Sequence, residues 1–151
     1  MTRPKSKTIA TWLALLGGAV GLHRFYLHGK DDVPGWLLVV PTVLGAYGVF
    51  RARHYGLDDR LSWALIPLLG FALAGTMLNA IVYGLMSDER WAARFNKGAA
   101  QHSGWPAIVG VLLALTVGAT VLMATLAFTA QRYFEYAAEP EAQANNRSPT
   151  Q

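Results

Sequence analysis

Leu61–Met86 has the sequence LSWALIPLLGFALAGTMLNAIVYGLM, and Trp105–Ala130 has the sequence WPAIVGVLLALTVGATVLMATLAFTA. Neither stretch contains Asp, Glu, Lys, Arg or His. An α-helix rises about 1.5 Å per residue and the hydrocarbon core of a bilayer is about 30 Å thick, so roughly 20 apolar residues suffice to cross it. Both stretches are longer than that, which predicts that lipid is the main solvent of this chain.

The first apolar stretch of the chain is shorter. Ile9–Leu22 reaches only about 21 Å at helical rise, but extension to Leu27 gives about 19 residues, which just spans. On this interpretation His23 and Arg24 lie near the headgroups on the far side of the membrane. A secretory signal peptide is the alternative, because a basic start, an apolar stretch and small residues are typical of one.

Pro34–Phe50 is the second apolar stretch, with about 17 residues, the low end for a span. Pro41 lies inside it and is expected to kink the helix. With the two long stretches, the sequence predicts an all-α integral membrane protein with four transmembrane helices arranged as two helical hairpins. The expected regions are a basic arm (residues 1–7), a two-helix domain (8–60), a second pair of spans (61–130) and a disordered polar tail (131–151).

Ser87–Gly104 connects the last two spans and carries a helix signature. Ser87 is a favoured N-cap, and Asp88 complements the positive end of the helix dipole. Trp91 and Phe95 are four residues apart and share a helix face. This pattern predicts a short helix in the membrane interface, with a solvated loop helix as the alternative.

Composition removes several classes of function. Hydrophobic residues make up 53% of the chain and charged residues 15%, against roughly 25% charged residues in soluble proteins. There is no cysteine, so disulfides, cysteine-ligated metals and thiol catalysis are excluded. The net charge of +4 favours membrane lipid over nucleic acid, because the basic residues flank apolar segments.

The Lys and Arg distribution favours one orientation of the four-span arrangement. Eight of these residues lie on the side of the two termini and five on the other side. Since cytoplasmic loops carry the excess of positive residues, both termini are expected in the cytoplasm, at a bacterial cytoplasmic membrane.

Gly21–Gly29 has the sequence GLHRFYLHG, the strongest local pattern in the chain. With the glycine-bearing helix before it, this pattern resembles the two-transmembrane-helix domain family, often called TM-two, over about residues 5–50. The resemblance implies a membrane-embedded helical hairpin and no activity, because bacterial members are mostly without an assigned one. His28 departs from the family motif. The residues that carry the motif are Gly17, Gly21, His23, Arg24, Phe25, Tyr26 and Leu27.

The motif also has a physical interpretation without the family. Gly17 and Gly21 are four residues apart, a spacing that lets helix backbones approach closely. Arg24 suits a lipid phosphate or a carboxylate, and Asp31 and Asp32 are close enough in sequence to be its partners. We favour a rigid hairpin turn over a ligand site.

No catalytic, cofactor or metal motif is evident. The pairs Asp31-Asp32 and Asp58-Asp59 are predicted to lie about 25 Å apart, at the two ends of the second span, by helical rise. They are therefore expected to cap loops or balance basic neighbours. The four histidines show no metal-ligand spacing. We predict no metal, no cofactor and no enzymatic activity.

Small and polar residues within the last two spans predict helix packing. Asn and Thr hydrogen-bond between membrane helices, typically for about 1 kcal/mol or less. A conduction path normally contains intramembrane ionisable residues, and these spans have none. The predicted packing residues are Gly70, Ala74, Asn79, Gly110, Ala114 and Gly118.

Two functional hypotheses remain. The first is a non-enzymatic multi-pass membrane protein that acts through helix–helix contact, as a homo-oligomer or as an accessory subunit of a larger membrane complex. The alternative is binding or transport of an anionic lipid or a small solute. The basic residues predicted to contact headgroups or a partner are Arg24, Lys30, Arg51, Arg53 and Arg60.

Overall fold

The computed structural model describes residues 4–56, 58–98 and 102–146, with side chains as far as residue 138. Within these ranges it is all-α, with no strand. A single 3-10 turn (Gly18–Val20) follows the first helix. The six helices are α1 (Lys7–Gly17), α2 (Leu22–His28), α3 (Val33–Tyr55), α4 (Arg60–Leu85), α5 (Asp88–Phe95) and α6 (Trp105–Asn146).

Three helices in the described part of the chain are long and apolar enough to cross a membrane: α3, α4 and α6. Most of their large apolar side chains are exposed on the outside of the bundle. In water this arrangement is unfavourable, whereas in a bilayer hydrocarbon solvates those side chains while each helix satisfies its own backbone groups. The chain is therefore a helical membrane protein with three candidate spans.

The central helix of the bundle is α4, which packs against both α3 and α6. Close approach depends on small residues: a Cβ atom built on Gly45 would lie 2.4 Å from the Cβ atom of Leu69 in α4. On the other side, a Cβ atom on Gly118 of α6 would lie 2.7 Å from the Cβ atom of Met77. Both glycines are buried, and neither position admits a larger residue without a shift of its neighbour.

The first predicted span is not one helix, which corrects the expectation from the sequence. Gly18–Val20 tightens into a 3-10 turn, and Gly21 adopts the left-handed conformation with φ 76°. L-residues with a side chain avoid this conformation, and glycine adopts it freely. The glycines that sequence analysis assigned to close helix packing, Gly17 and Gly21, therefore divide the segment into α1 and α2.

The two halves form a hairpin (residues 7–28, the amino-terminal hairpin) that returns to the end of the bundle where it began. Lys5 Nζ donates to the carbonyl oxygen of Leu27, and Ser6 N donates to the Tyr26 hydroxyl over 2.9 Å. We call this end, where α4 also finishes and α6 begins, the amino-terminal face. His23 and Arg24 thus lie on the returning arm of the hairpin.

The tip of the hairpin reaches about halfway along the bundle. Thr42 Oγ1 donates to the Ala19 carbonyl over 2.7 Å, and Gly18 packs on Thr76. Each threonine lies nine residues from the amino-terminal-face end of its helix, which corresponds to about 14 Å at helical rise. That is roughly half of a 30 Å hydrocarbon core.

Two further predictions, the length of the second apolar helix and the disorder of the tail, differ from the structure. The helix α3 runs from Val33 to Tyr55 through Pro41, longer than the predicted 17-residue stretch. The tail, expected to be disordered from residue 131, remains helical to Asn146, and residues 147–151 lie outside the described ranges. Arg132 explains part of the extension, because its guanidinium lies 5.0 Å from the Trp63 ring centroid on α4.

Candidate functional site

The motif arginine makes a corner between α2 and α3. Arg24 Nε lies 2.7 Å from Asp32 Oδ2, and Nη2 lies 3.3 Å from Oδ1. Asp32 also accepts a hydrogen bond from Gly35 N over 2.9 Å, so that it is the N-cap of α3. The hydrogen bond from Arg24 holds the pKa of the Asp32 carboxyl below its usual value. Arg24 is thus paired within the chain, as the sequence allowed.

The same corner occurs a second time, between α3 and α4, and sequence analysis missed it. Arg51 Nε and Nη2 donate to the two carboxylate oxygens of Asp59 over 2.9 and 2.8 Å. Asp59 is the N-cap of α4 and accepts from Ser62 N over 3.1 Å. Both corners have the sequence Arg-x4-Gly-x-Asp-Asp, at residues 24–32 and 51–59. This repeat is visible in the sequence once the two acidic pairs are aligned with the arginines that precede them.

The next three motif residues hold the first corner in place. The Phe25 ring packs on Trp36, with ring centroids 5.2 Å apart. Tyr26 accepts the hydrogen bond from Ser6, the N-cap residue of α1. Leu27 is buried against Ala10. Each of these side chains contacts another part of this chain, which accounts for the motif in structural terms.

His23 is the exception among the motif residues. It is completely buried, and neither ring nitrogen has a hydrogen-bond partner among the described residues. Its ring centroid lies 5.8 Å from that of Tyr83 on α4. The Tyr83 ring contacts the ring of Trp91 on α5, which in turn contacts that of Phe95, with centroid distances of 6.0 and 4.5 Å. We call these four rings the aromatic arc; it joins α2, α4 and α5.

The short helix α5 begins at Ser87, as the sequence predicts, but its apolar face is covered by the chain itself. Trp91 is 2% exposed and packs with Ala10 and Leu27, whereas the sequence predicted that it lies in the membrane interface. Its indole Nε1 donates to the Lys5 carbonyl over 2.7 Å. The helix therefore fastens the amino-terminal segment to the bundle.

An ion pair completes this fastening. Lys7 is 9% exposed, and its Nζ lies 2.7 Å from Asp88 Oδ1 and 2.9 Å from the Met86 carbonyl. Asp88 also accepts from Ser103 N over 3.1 Å. The hydrogen bond from Lys7, followed by those from Ser103, holds the pKa of the Asp88 carboxyl well below its usual value. The carboxylate is therefore ionised at neutral pH.

The basic residues assigned to headgroup contact divide into three groups. Arg24 and Arg51 are held by the corner aspartates. Arg60 lies over the Tyr136 ring, 5.3 Å from its centroid. Lys30 and Arg53 are exposed, at the amino-terminal face and at the opposite face respectively.

The predicted packing residues lie mainly at the contacts of α6. A Cβ atom on Gly70 would overlap Thr125, and one on Gly110 would lie 2.9 Å from Thr11 of α1. Ala114 is buried. Ala74 and Asn79 are half-buried. The threonine hydroxyls differ from expectation: those of Thr76, Thr116, Thr120, Thr125 and Thr129 donate to carbonyls of their own helix.

The two acidic pairs act separately. Asp32 and Asp59 are caps, while Asp31 and Asp58 are exposed. In the described ranges no three His, Cys, Asp or Glu side chains are grouped to hold a metal ion. What the arrangement does chemically is to lock helix ends together.

Apolar helices, a hairpin with its arginine corner and the absence of strands from the described residues define an α-helical membrane protein. Residues 3–50, the amino-terminal third of the chain, match the model of the TM2 domain. The resemblance inferred from the motif is thereby confirmed for that third. No curated protein and no solved structure matches the chain.

Proposed function

We propose that this chain is a non-enzymatic multi-pass membrane protein that acts through helix–helix contact, as a homo-oligomer or as an accessory subunit of a larger membrane complex. The observation that carries the proposal is an open apolar groove of about 410 Å³ between α4 and α6. Small residues line it at the middle of both spans. Its walls include Phe71, Ala74, Gly75, Leu78, Leu115, Gly118, Ala119 and Leu122.

The groove suits another helix because small residues line its base. A Cβ atom built on Gly75 would meet no atom within 4 Å, so this position is open on the outer surface. Membrane helices associate by van der Waals packing where small residues let their backbones approach. A helix bound in the groove would gain such contacts along both α4 and α6. A disordered acyl chain would fill the groove less completely.

Cross-linking in membranes tests the proposal. The chain has no cysteine, so Gly75→Cys provides a single reporter in the groove. We expect cross-linked dimers or a cross-linked partner, and we expect Ala119→Leu to lower the cross-linked fraction about tenfold. Ala127→Leu, on the exposed surface of the same helix, is the matched control and should change little. A chain that stays monomeric with no retained partner contradicts the proposal.

For the membrane arrangement we propose three spans, with the amino-terminal hairpin entering and leaving at the amino-terminal face. Non-helical backbone at membrane depth is tolerated where protein covers it, and Thr42 and Thr76 lie against the hairpin tip. Among the described residues, seven Lys and Arg belong to the amino-terminal face and four to the opposite face. The positive-inside rule then favours a cytoplasmic amino-terminal face, in a bacterial cytoplasmic membrane.

The four-span arrangement predicted from the sequence is the alternative, and one pair of labels distinguishes the two. Pro4→Cys and His28→Cys flank the hairpin. Three spans predict that an impermeant thiol reagent reaches both positions from the same side. Four spans predict labelling from opposite sides. His54→Cys and Ala137→Cys, at the opposite face, fix the orientation, since we expect reagent to reach them from outside.

Headgroup binding is the second candidate function, and exposed cations at the amino-terminal face favour it. They are Lys30, Arg90, Arg94 and Lys97. Each Lys or Arg near an anionic leaflet contributes about 1 kcal/mol. Lys30→Glu with Arg94→Glu should weaken retention of anionic lipid by the purified protein or alter flux in liposomes. If neither property changes, headgroup binding is excluded as the function.

A further inference from the structure

The imidazole of His23 is the one motif side chain whose polar atoms are buried without a hydrogen-bond partner among the described residues. Burial of a polar group without a hydrogen-bond partner costs free energy, and such groups in native structures call for an explanation. Both ring nitrogens of His23 are buried without a hydrogen-bond partner among the described residues. Phenylalanine or leucine would fill the same space beside Tyr83 without that cost. Histidine differs from them because it takes up a proton near pH 6.5.

The charges around His23 oppose a proton on its ring. Arg24 follows it directly on α2 and carries a permanent positive charge. Asp32, the nearest acid at the start of α3, is already held by Arg24. On α4 the neighbour is Tyr83, which is uncharged at neutral pH. From α5, Arg94 adds a further positive charge near Tyr83.

The remaining charged groups near the hairpin are also occupied. Lys5 donates to the Leu27 carbonyl and Lys7 pairs with Asp88. His28 is on the same helix, is exposed and carries no negative charge. Asp31 and Glu89 are exposed, which leaves Asp32, already paired with Arg24, as the carboxylate that acts on His23 among the described residues. A protonated His23 is stable only where water reaches it, and that requires α2 to move away from α4.

We propose that protonation of His23 releases the amino-terminal hairpin from α4 and α5, so that docking of the hairpin is controlled by pH. The docked state is stable above about pH 6.5, where the imidazole is neutral in both states. It is lost as the pH falls, because only the released state binds the proton. The docking equilibrium constant then falls by up to tenfold per pH unit. Release uncovers the apolar cluster of Ala10, Leu27 and Trp91.

Thiol labelling of the full chain in lipid nanodiscs measures the release. Ala10→Cys places a reporter at a completely buried position under Trp91. Ala93→Cys, exposed on α5, corrects for the effect of pH on thiol reactivity. We expect the ratio of the two labelling rates to rise at least tenfold between pH 7.5 and pH 5.0. Thr125→Cys, buried between α4 and α6, should show no such rise if the rest of the bundle stays folded.

Substitution assigns the effect to one histidine. His23→Phe keeps an aromatic ring beside Tyr83 and should make the ratio independent of pH. His23→Gln, which is polar and cannot take up the proton, should do the same if the phenylalanine variant fails to fold. His28→Asn removes an exposed histidine five residues later and should leave the response intact. A flat ratio in the parent chain, an equal rise in the His23 variants, or an equal rise at Thr125→Cys would overturn the proposal.

Discussion

Residues 24–32 and 51–59 make the same corner at opposite ends of α3. In each, an arginine in the preceding helix pairs with an aspartate that caps the following helix, eight residues later. Gly29 and Gly56 end the preceding helices with nearly the same backbone, at φ 94°, ψ 178° and φ 88°, ψ 175°. The local sequence therefore determines the local structure twice, independently of the surroundings.

What differs is the helix that precedes each corner. The first corner follows α2, seven residues long, whose motif side chains contact α1, α3, α4 and α5. The second follows α3, a candidate span, and its neighbours Arg53 and Tyr55 are exposed. A short helix has little stability of its own, so α2 depends on packing, whereas α3 does not. The same arginine–aspartate corner therefore connects a short helix that is packed against the bundle, α2, and a long candidate span, α3, to the helices that follow them.

The largest expected effect is at Gly21, where the docked hairpin turns. Gly21→Ala places a Cβ atom 2.5 Å from the Gly35 carbonyl oxygen in a left-handed residue with φ 76°. The conformation costs about 1–2 kcal/mol and the overlap about 1–3 kcal/mol, so we expect a loss of about 2–5 kcal/mol in the free energy of unfolding. Denaturation in mixed micelles measures it. A loss below 1 kcal/mol would show that the turn is not tightly packed.

A smaller and matched effect is expected at the two corner glycines. Their backbone conformation is essentially limited to glycine and costs other residues about 1–3 kcal/mol. A Cβ atom at either position would meet no described atom within 4 Å, so conformation alone sets the cost. Gly29→Ala and Gly56→Ala should therefore lower stability equally, within about 0.5 kcal/mol. Unequal losses would mean that docking of α2 strains the first corner.

Sequence reasoning identified the lipid solvent, the three long helices, Ser87 as the start of α5 and the pairing of Arg24 with an adjacent aspartate. These conclusions rest on local properties: apolar length, a capping side chain, and residues a few positions apart. The division of the first segment was not predicted, since a stretch of about 19 residues satisfies the length rule whether or not Gly21 turns left-handed. Glycine permits both a packed helix and a turn, and only the contact with Gly35 decides between them.

The burial of Trp91 could not be predicted for a related reason. An amphipathic helix has the same sequence periodicity whether its tryptophan is exposed or covered by other residues. The residues that cover Trp91, Ala10 and Leu27, are distant from it in sequence. Part of the helical tail is explained by the contact between Arg132 of α6 and Trp63 of α4, which are distant in sequence. The repeated corner, by contrast, was available from the sequence, because its spacing is local and identical in both copies.

A third effect separates the two capping aspartates. Asp59 accepts from Ser62 N and from the buried Ser62 hydroxyl, whereas Asp32 accepts only one such bond, from Gly35 N. Asp59→Ala should therefore lower the thermal midpoint more than Asp32→Ala, because it also leaves the serine hydroxyl without its acceptor. With Ser62→Ala in the background, the difference should shrink. A larger loss for Asp32→Ala would indicate that the ion pair outweighs the cap.

The smallest effect is a difference in acid tolerance between the corners. Hydrogen bonds from the paired arginines hold the pKa of Asp32 and of Asp59 below the usual value of 3.8, and Ser62 lowers the pKa of Asp59 further. Depressed carboxyl pKa values stabilise the fold above about pH 4, and the contribution is lost as the pH falls through them. Between pH 5 and pH 2.5 the thermal midpoint should therefore fall further for Asp32→Asn, which retains the more strongly shifted Asp59, than for Asp59→Asn.

The double variant is the control for this last comparison. Asp88 is present in every variant, so its own titration cancels between them, and the amide substitutions keep the size of both side chains. The profile with both asparagines should be the flattest, because neither corner then gains a proton. If the midpoints of the two single variants fall equally over this range, the serine bonds do not distinguish the corners, and the two copies are equivalent in energy as well as in geometry.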